Sequence, residues 1–142
     1  MEDTYNPATN SFMTYVVGIV FDTKTKKILI GRCKKDPNFP EMGWAFPAGR
    51  PNYEEELEDH LKKQVNESTG LNIESLGTIF AKTYPENRKA LSVYYLCEVT
   101  GGEEKAGGEF TEMKWVDPEE LEENFKPLTL HPKLKEYILN LK

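Results

Sequence analysis

Residues Trp44–Leu71, WAFPAGRPNYEEELEDHLKKQVNESTGL, decide the fold of this chain of 142 residues. The segment begins with a short predicted strand, continues through a Pro-Ala-Gly turn and an acidic loop, and ends in one predicted helix. Leu57, Leu61 and Val65 recur every four residues, so the helix has a single apolar stripe. Gly70 occupies the position of a C-terminal helix cap. The segment therefore predicts a loop and an amphipathic helix beside a glycine turn.

The charges of this segment allow two interpretations. Glu54–Glu56 crowd the first turn of the predicted helix, and Lys62 and Lys63 follow later, an order that suits the helix dipole. The ordinary interpretation is an amphipathic helix with a solvated acidic face. The functional interpretation is a platform that presents carboxylates to a metal ion and a diphosphate group.

The spacing of the segment resembles the Nudix box, G-x5-E-x7-R-E-U-x-E-E-x-G-U, in which U is aliphatic. Gly49 opens the match, Glu55 follows after five residues, and seven more lead to residues 63–71. Trp44–Ala48 is similar to the family's lead-in, and Lys114–Leu121 is similar to its closing strand and turn into a helix. The chain is thus identified as a member of the Nudix superfamily, MutT-like. The resemblance implies an α/β fold: an α/β/α sandwich with a mixed β-sheet.

The match departs from the family pattern at the acids of the catalytic helix. In the family, the R-E-U-x-E-E acids bind magnesium or manganese and help to activate water. Here the R-E pair is Lys63-Gln64, and the E-E pair is Glu67-Ser68. Residues three and four apart on a helix are neighbours, so Gln64, Glu67 and Ser68 share one patch. The resemblance implies that Glu67 is a metal ligand and a catalytic residue, and that Gln64 orients water without deprotonating it.

A carboxylate outside the box could supplement Glu67. Glu109 lies six residues before Trp115, where some relatives place an extra metal-binding carboxylate on a loop. Glu112 is a second candidate, and the ordinary interpretation of Glu109 is an exposed acid beside a glycine-rich segment. The expected cofactor is Mg²⁺ or Mn²⁺, which prefer hard oxygen ligands.

Other matched positions have structural roles in the family. The resemblance implies that Gly49 allows close packing of loop and helix, that Glu55 and Lys63 hold the two together, and that Gly70 ends the helix. His60 lies within the helix, and we expect a surface or partly packed histidine there in preference to a catalytic one.

Basic residues near the predicted site could bind phosphate. Arg32, at the end of the second predicted strand, and Arg50, directly after Gly49, are the expected substrate-binding residues. The alternatives are a solvated cation and, for Arg50, an ion pair with a nearby acid. Phe39 is a candidate for stacking on a base, although burial against the fold is the preferred interpretation.

The remaining pattern predicts strands, two further helical segments and an exposed loop. Residues 13–21 are apolar on both faces, so this strand should be central in its sheet. The other predictions are strands at 28–32, 76–83, 89–99 and 114–116, a helical turn at 117–123, a helix from Pro132, and a flexible, exposed segment at 101–108.

Composition limits the class of protein. The chain contains 38% hydrophobic and 11% aromatic residues, which is typical of a globular protein. Residues 1–11 are polar, so we expect a flexible arm there and a single Nudix domain at 12–142. A formal net charge of −6 argues against broad binding to nucleic acid. Cys33 and Cys97 lack metal-type spacing, so reduced thiols are expected. No apolar run reaches membrane-spanning length, and residues 1–10 do not resemble a signal peptide, so we expect a cytoplasmic location and no membrane partner.

Two functions follow from the resemblance. The first is a hydrolase that cleaves the diphosphate bond of a nucleoside diphosphate linked to another group, and this interpretation allows for weak activity. The alternative is a module that binds a nucleotide or its derivative without hydrolysing it, which Gln64 and Ser68 favour. The expected partner is a small-molecule nucleotide derivative, and the resemblance leaves a homodimer open.

Overall fold

The computed structural model describes residue 6 and residues 11–34, 43–126 and 128–142. Within the predicted arm at 1–11, only Asn6 and Ser11 belong to this part of the chain. Phe39, the predicted stacking residue, lies outside the described residues.

Seven strands, three α-helices and one short 3₁₀ helix make up the described part of the chain. In chain order they are β1 (Met13–Asp22), β2 (Lys27–Cys33), β3 (Trp44–Ala45), β4 (Ala48–Gly49), α1 (Leu57–Thr69), β5 (Leu71–Tyr84), β6 (Asn87–Gly102), β7 (Phe110–Val116), the 3₁₀ helix (Pro118–Glu120), α2 (Leu121–Phe125) and α3 (Pro132–Leu139). The strands β5 and β6 extend beyond the predicted ranges at both ends.

The strands form one sheet with the order β3-β2-β1-β6-β5, and β4 pairs with β1 while β7 pairs with β2. The β1–β6 pair is parallel, with Val16 opposite Val93, and the other pairs are antiparallel. β1 is therefore central, as its apolar sequence predicted. The prediction of an α/β fold with a mixed sheet is confirmed.

Helices cover both faces of the sheet because alternate side chains of β1 point to opposite sides. On one face, Val16 and Val20 pack with Leu61 and Val65 of α1. On the other face, a second apolar cluster joins β1 to Phe46 and to the helices α2 and α3. Its buried members include Val17, Ile19, Phe21, Leu121, Phe125, Leu134 and Ile138.

The start of α1 differs from the prediction. The helix begins at Leu57, so Glu54–Glu56 precede it, and no basic residue lies in its last turn. The acids lie outside because Asn52 folds the loop into a turn: its side-chain oxygen accepts a hydrogen bond from the Glu54 N–H at 2.9 Å. Leu57, at the first helical position, is 38% exposed. The apolar stripe that packs on the sheet is therefore shorter than predicted.

Candidate active site

A cavity of about 190 Å³ lies between the second half of α1 and the segment that leads into β7. Its lining residues are Ala48, Gln64, Glu67, Ser68, Gly108, Glu109 and Phe110. The structure thus brings Gln64 and Glu67, from the helix, together with Glu109. Glu112 does not line this cavity. A larger open groove, of about 670 Å³, lies at the β1–β2 turn and contains none of these site residues.

Backbone hydrogen bonds fasten the segment before β7 to the end of α1. They run from Glu103 N to Gly70 O at 3.2 Å, from Lys105 N to Thr69 O at 2.8 Å, and from Gly107 N to Ser68 O at 3.1 Å. These carbonyl groups, at the helix end, have no partner within the helix. The segment 101–108 is therefore not the free, flexible loop that was predicted, although several of its side chains are exposed.

Glycines allow this close approach. A Cβ atom at Gly107 would lie 2.9 Å from the carbonyl oxygen of Glu67. Gly70 ends α1 in the left-handed conformation, at φ 77°, and its N–H donates to Asn66 O at 2.8 Å. A Cβ atom at Gly70 would clash with the carbonyl oxygen of Glu103.

The polar groups of the cavity differ in what they can offer a ligand. Glu67 and Glu109 are exposed carboxylates, and Gln64 is half-buried. The Ser68 hydroxyl donates to the backbone carbonyl oxygen of Gln64 at 2.7 Å, so its proton is not available for a hydrogen bond to a ligand. Glu109 also acts on Cys33: burial raises the pKa of the Cys33 thiol, and the negative charge of Glu109 raises it further.

The first glutamate of the box contacts the helix through a histidine. Glu55 Oε2 lies 2.9 Å from His60 Nδ1. This hydrogen bond, followed by one from the Asn52 N–H, lowers the pKa of Glu55. Lys63 lowers the pKa of Glu55 only through its charge, and more weakly. His60 is buried, at 7% exposed, which corrects the expectation of a surface or partly packed histidine.

Gly49 packs directly against α1. A Cβ atom there would lie 2.5 Å from Gln64 Cγ and 2.7 Å from His60 Nε2. Any larger residue would push β4 away from the helix. Ala48 of β4 lines the cavity, so the strand that Gly49 brings against α1 forms part of its wall.

The two arginines predicted to bind substrate lie outside the cavity lining. Arg32 is opposite Glu112 in the β2–β7 pair, with Nη1 3.7 Å from Glu112 Oε1. The Arg50 guanidinium lies over the Tyr15 ring, 5.5 Å from its centroid. Their role in substrate binding stays a prediction.

Sequence reasoning did not single out Phe110, Tyr15 or the Glu55–His60 contact. Phe110 is buried against Gly31 and closes one side of the cavity. Its sequence signal is an apolar residue two positions after Gly108, the last residue of the glycine-rich segment. The partners of Glu55 and Arg50 depend on how the chain folds back, and no spacing in the sequence indicates them.

The comparisons with known proteins identify the family. The family model of the NUDIX domain matches residues 12–141. This chain belongs to the NUDIX family. Over 96 residues it is 30% identical to the human protein named nucleoside diphosphate-linked moiety X motif 6, and the match covers 66% of this chain and 29% of that protein. The chain thus spans less than a third of the length of this curated relative.

Solved structures of NUDIX proteins share the fold. A NUDIX hydrolase from Nitrosomonas europaea is similar with a TM-score of 0.75 and 18% identity, over 91% of this chain and 71% of that one. The NUDIX domain of Shewanella oneidensis NrtR, solved in complex with ADP ribose, is similar with a TM-score of 0.65 and 21% identity, over 93% and 90% of the two chains. Within the described residues, no helix is long and apolar enough to cross a membrane.

NUDIX hydrolases generally use divalent metal ions, and the cavity offers oxygen ligands for one. Glu67 and Glu109 supply carboxylates, and Gln64 supplies an amide oxygen. No group of three His, Cys, Asp or Glu residues that could enclose a metal occurs in the described part of the chain. Mg²⁺ is often bound by one or two carboxylates together with waters and substrate phosphates. The donor set therefore fits a metal that is shared with a phosphate ligand.

Proposed function

We propose that this NUDIX protein hydrolyses the diphosphate bond of a nucleoside diphosphate linked to another group, with Mg²⁺ or Mn²⁺ as cofactor. The observation that carries the proposal is the shared cavity of Glu67, Glu109 and Gln64. The ADP ribose bound by the NrtR domain supports a nucleotide derivative as the class of ligand.

In the proposed mechanism, Glu67 and Glu109, which both line the cavity, would hold the metal. When bound, the metal offsets negative charge on the diphosphate and lowers the pKa of a water molecule. Gln64 orients the attacking water through its amide group but cannot accept its proton near neutral pH. The proton acceptors that the cavity offers are the carboxylate oxygens of Glu67 and Glu109.

Two arginines complete the proposed site. Arg50 directly follows β4, in which Ala48 lines the cavity, so its backbone lies beside the site. Arg32 lies on β2. The residue after it in the same strand, Cys33, pairs with Phe110, which lines the cavity. A guanidinium can bind phosphate oxygens through two parallel hydrogen bonds, which suits both residues to this role.

The proposal includes a cytoplasmic location and leaves a homodimer as an expectation. Cys33 and Cys97 are both free thiols, which is usual in a reducing compartment.

The test is release of a nucleoside monophosphate, followed by chromatography, from a panel of nucleoside diphosphate derivatives, with Mg²⁺ or Mn²⁺ and with a chelator. We expect turnover that requires metal and falls about 10²- to 10⁴-fold in Glu67→Gln and in Glu109→Gln. Glu119→Gln, an exposed acid outside the cavity, is the matched control and should be unchanged. Activity that survives both cavity substitutions would refute the proposed metal site.

A second candidate is a module that binds a nucleotide derivative without turnover. The observation that favours it is the lining of the cavity, to which α1 contributes Gln64 and Ser68 beside one carboxylate, that of Glu67. Calorimetric binding of a panel compound, with no nucleoside monophosphate formed from any of them, would support this candidate over the hydrolase.

A further inference from the structure

His60 lies where three parts of the candidate site meet: helix α1, the loop at residues 50–56 and strand β4. Its ring is 7% exposed. One ring nitrogen, Nδ1, is 2.9 Å from Glu55 Oε2, and the other, Nε2, is 2.7 Å from the position of a Cβ atom on Gly49. A single side chain thus contacts the loop and abuts the strand.

The hydrogen bond to Glu55 assigns the roles of the two ring nitrogens. A carboxylate only accepts hydrogen bonds, so His60 Nδ1 carries a proton. His60 Nε2 is buried and has no hydrogen-bond partner among the described residues. A buried polar atom without a partner is unfavourable. The ring is held in place by its contact with Glu55 and by packing.

Glu55 extends this contact into the loop. Its second oxygen, Oε1, accepts a hydrogen bond from the Asn52 N–H at 3.2 Å, and its own N–H donates to Asn52 O at 3.3 Å. The loop is therefore a closed turn that is joined to α1 through His60. Lys63, one turn further along α1, is exposed.

We infer that His60 is a positioning residue for the site: through Glu55 it holds the loop and Gly49 against α1. Gln64, four residues after His60, packs against the same glycine. Its Cγ lies 2.5 Å from the position that a Cβ atom on Gly49 would occupy. His60 thereby fixes the distance between Ala48, on one wall of the cavity, and Gln64, on the other. This inference deepens the proposed hydrolase and rests on it for its effect on turnover.

Two substitutions at one position separate positioning from simple packing. In His60→Asn, the amide nitrogen stands as many bonds from Cα as Nδ1 does, so a donor to Glu55 remains. In His60→Leu, the side chain stays bulky and apolar but offers no donor. Both should unfold more easily than the wild type. If His60 only filled space, activity would follow stability in both variants.

The kinetic expectation distinguishes the two variants. A displacement of about 1 Å in a site can reduce turnover by about 10²-fold, so we expect kcat to fall by about 10- to 100-fold in His60→Leu, with a smaller change in KM. His60→Asn should stay within a few-fold of the wild type. Equal kcat losses in the two variants would overturn the inference.

A second measurement does not depend on catalysis. Hydrogen exchange of the Asn52 and Glu55 amides, followed by NMR in the free protein, should be faster in His60→Leu and nearly unchanged in His60→Asn. Glu55→Ala removes the same contact from the loop side, and with it the acceptor of the Asn52 N–H. Its readout is therefore the amide of residue 55, which keeps its hydrogen bond to Asn52 O and should exchange faster, even if a variant of buried His60 fails to fold. Unchanged exchange in His60→Leu or, should that variant not fold, in Glu55→Ala would refute the inference. If exchange responds as expected while the wild type turns over no compound of the panel, the proposed function fails and the positioning contact stands.

Discussion

The backbone N–H of Gly107 donates a hydrogen bond to the carbonyl oxygen of Ser68 at 3.1 Å, which joins the segment before β7 to the end of helix α1. This bond lies two residues before Glu109 and one residue after Glu67. It therefore joins the backbone near Glu109 to the backbone near Glu67, the two carboxylates that line the cavity. The positions of Glu67 and Glu109 therefore depend on hydrogen bonds between main-chain groups.

Gly107→Ala tests this dependence. The new Cβ atom would lie 2.9 Å from the Glu67 carbonyl oxygen, so the segment must move away from the helix. We expect metal-dependent turnover to fall by about tenfold or more, because small displacements at a site reduce the rate strongly. The measurement is kcat/KM of the panel substrate at saturating metal.

Gly101→Ala is the matched control for Gly107→Ala. A Cβ atom at Gly101 meets only the Asn72 amide, at 3.8 Å, an ordinary contact. Its activity should equal that of the wild type. Equal losses in both variants would show that the segment as a whole, and not the contact at Gly107, determines the rate.

The thiol of Cys33 reports the position of Glu109. The negative charge of Glu109 contributes to the raised pKa of Cys33, after burial. In Glu109→Gln the pKa of Cys33 should therefore fall, and more thiolate should be present at a given pH. The measurement is the rate of Cys33 alkylation as a function of pH, with each modified cysteine resolved by mass spectrometry.

Cys97 and Glu112 provide the controls for this titration. Burial raises the pKa of Cys97 to about 12, so this thiol should react slowly throughout. Glu112→Gln removes an exposed acid that pairs with Arg32 and should leave the Cys33 profile unchanged. A Cys33 profile that does not move in Glu109→Gln would contradict the arrangement of the cavity.

Local pattern predicted the central features of the fold. The apolar residues of β1 and the four-residue spacing of Leu61 and Val65 in α1 reflect burial against a sheet, which a sequence records directly. The box spacing also predicted that Gln64 and Glu67 share one patch of the helix, and both line the cavity.

The partners of the site residues could not be predicted in the same way. Glu109 reaches the cavity because the preceding segment satisfies the carbonyl groups at the end of α1, a contact between chain segments far apart in sequence. His60 meets Glu55 because Asn52 turns the loop back towards the helix. Neither relationship has a periodic signature, since each depends on the folded backbone.

The apolar stripe of α1 tests how far hydrophobic periodicity in a sequence predicts which side chains are buried. Leu61 is fully buried, whereas Leu57, at the first helical position, is 38% exposed. Leu61→Ala should lower the free energy of unfolding by about 2–5 kcal/mol, because it leaves a cavity in the core. Leu57→Ala should change it by about 0.5 kcal/mol or less. Urea unfolding measures both, and equal losses would show that the stripe is buried along its whole length, as the sequence alone predicted.

Acid should weaken the contact between Glu55 and His60. The hydrogen bonds to Glu55 lower its pKa below the ordinary value of 4.5 in the folded protein. The stabilisation from its charge is therefore fully present above the pKa of the unfolded chain and is lost as pH falls through the lower, folded pKa. Glu55→Gln lacks this charge at every pH. The difference in unfolding free energy between wild type and Glu55→Gln should thus be larger at about pH 6 than at about pH 3, as measured by urea unfolding.

Glu86→Gln, a substitution of an exposed acid in the β5–β6 turn, serves as the control, and its difference from the wild type should vary little with pH. A difference for Glu55→Gln that is constant between the two pH values would show that the Glu55 charge contributes nothing to folding.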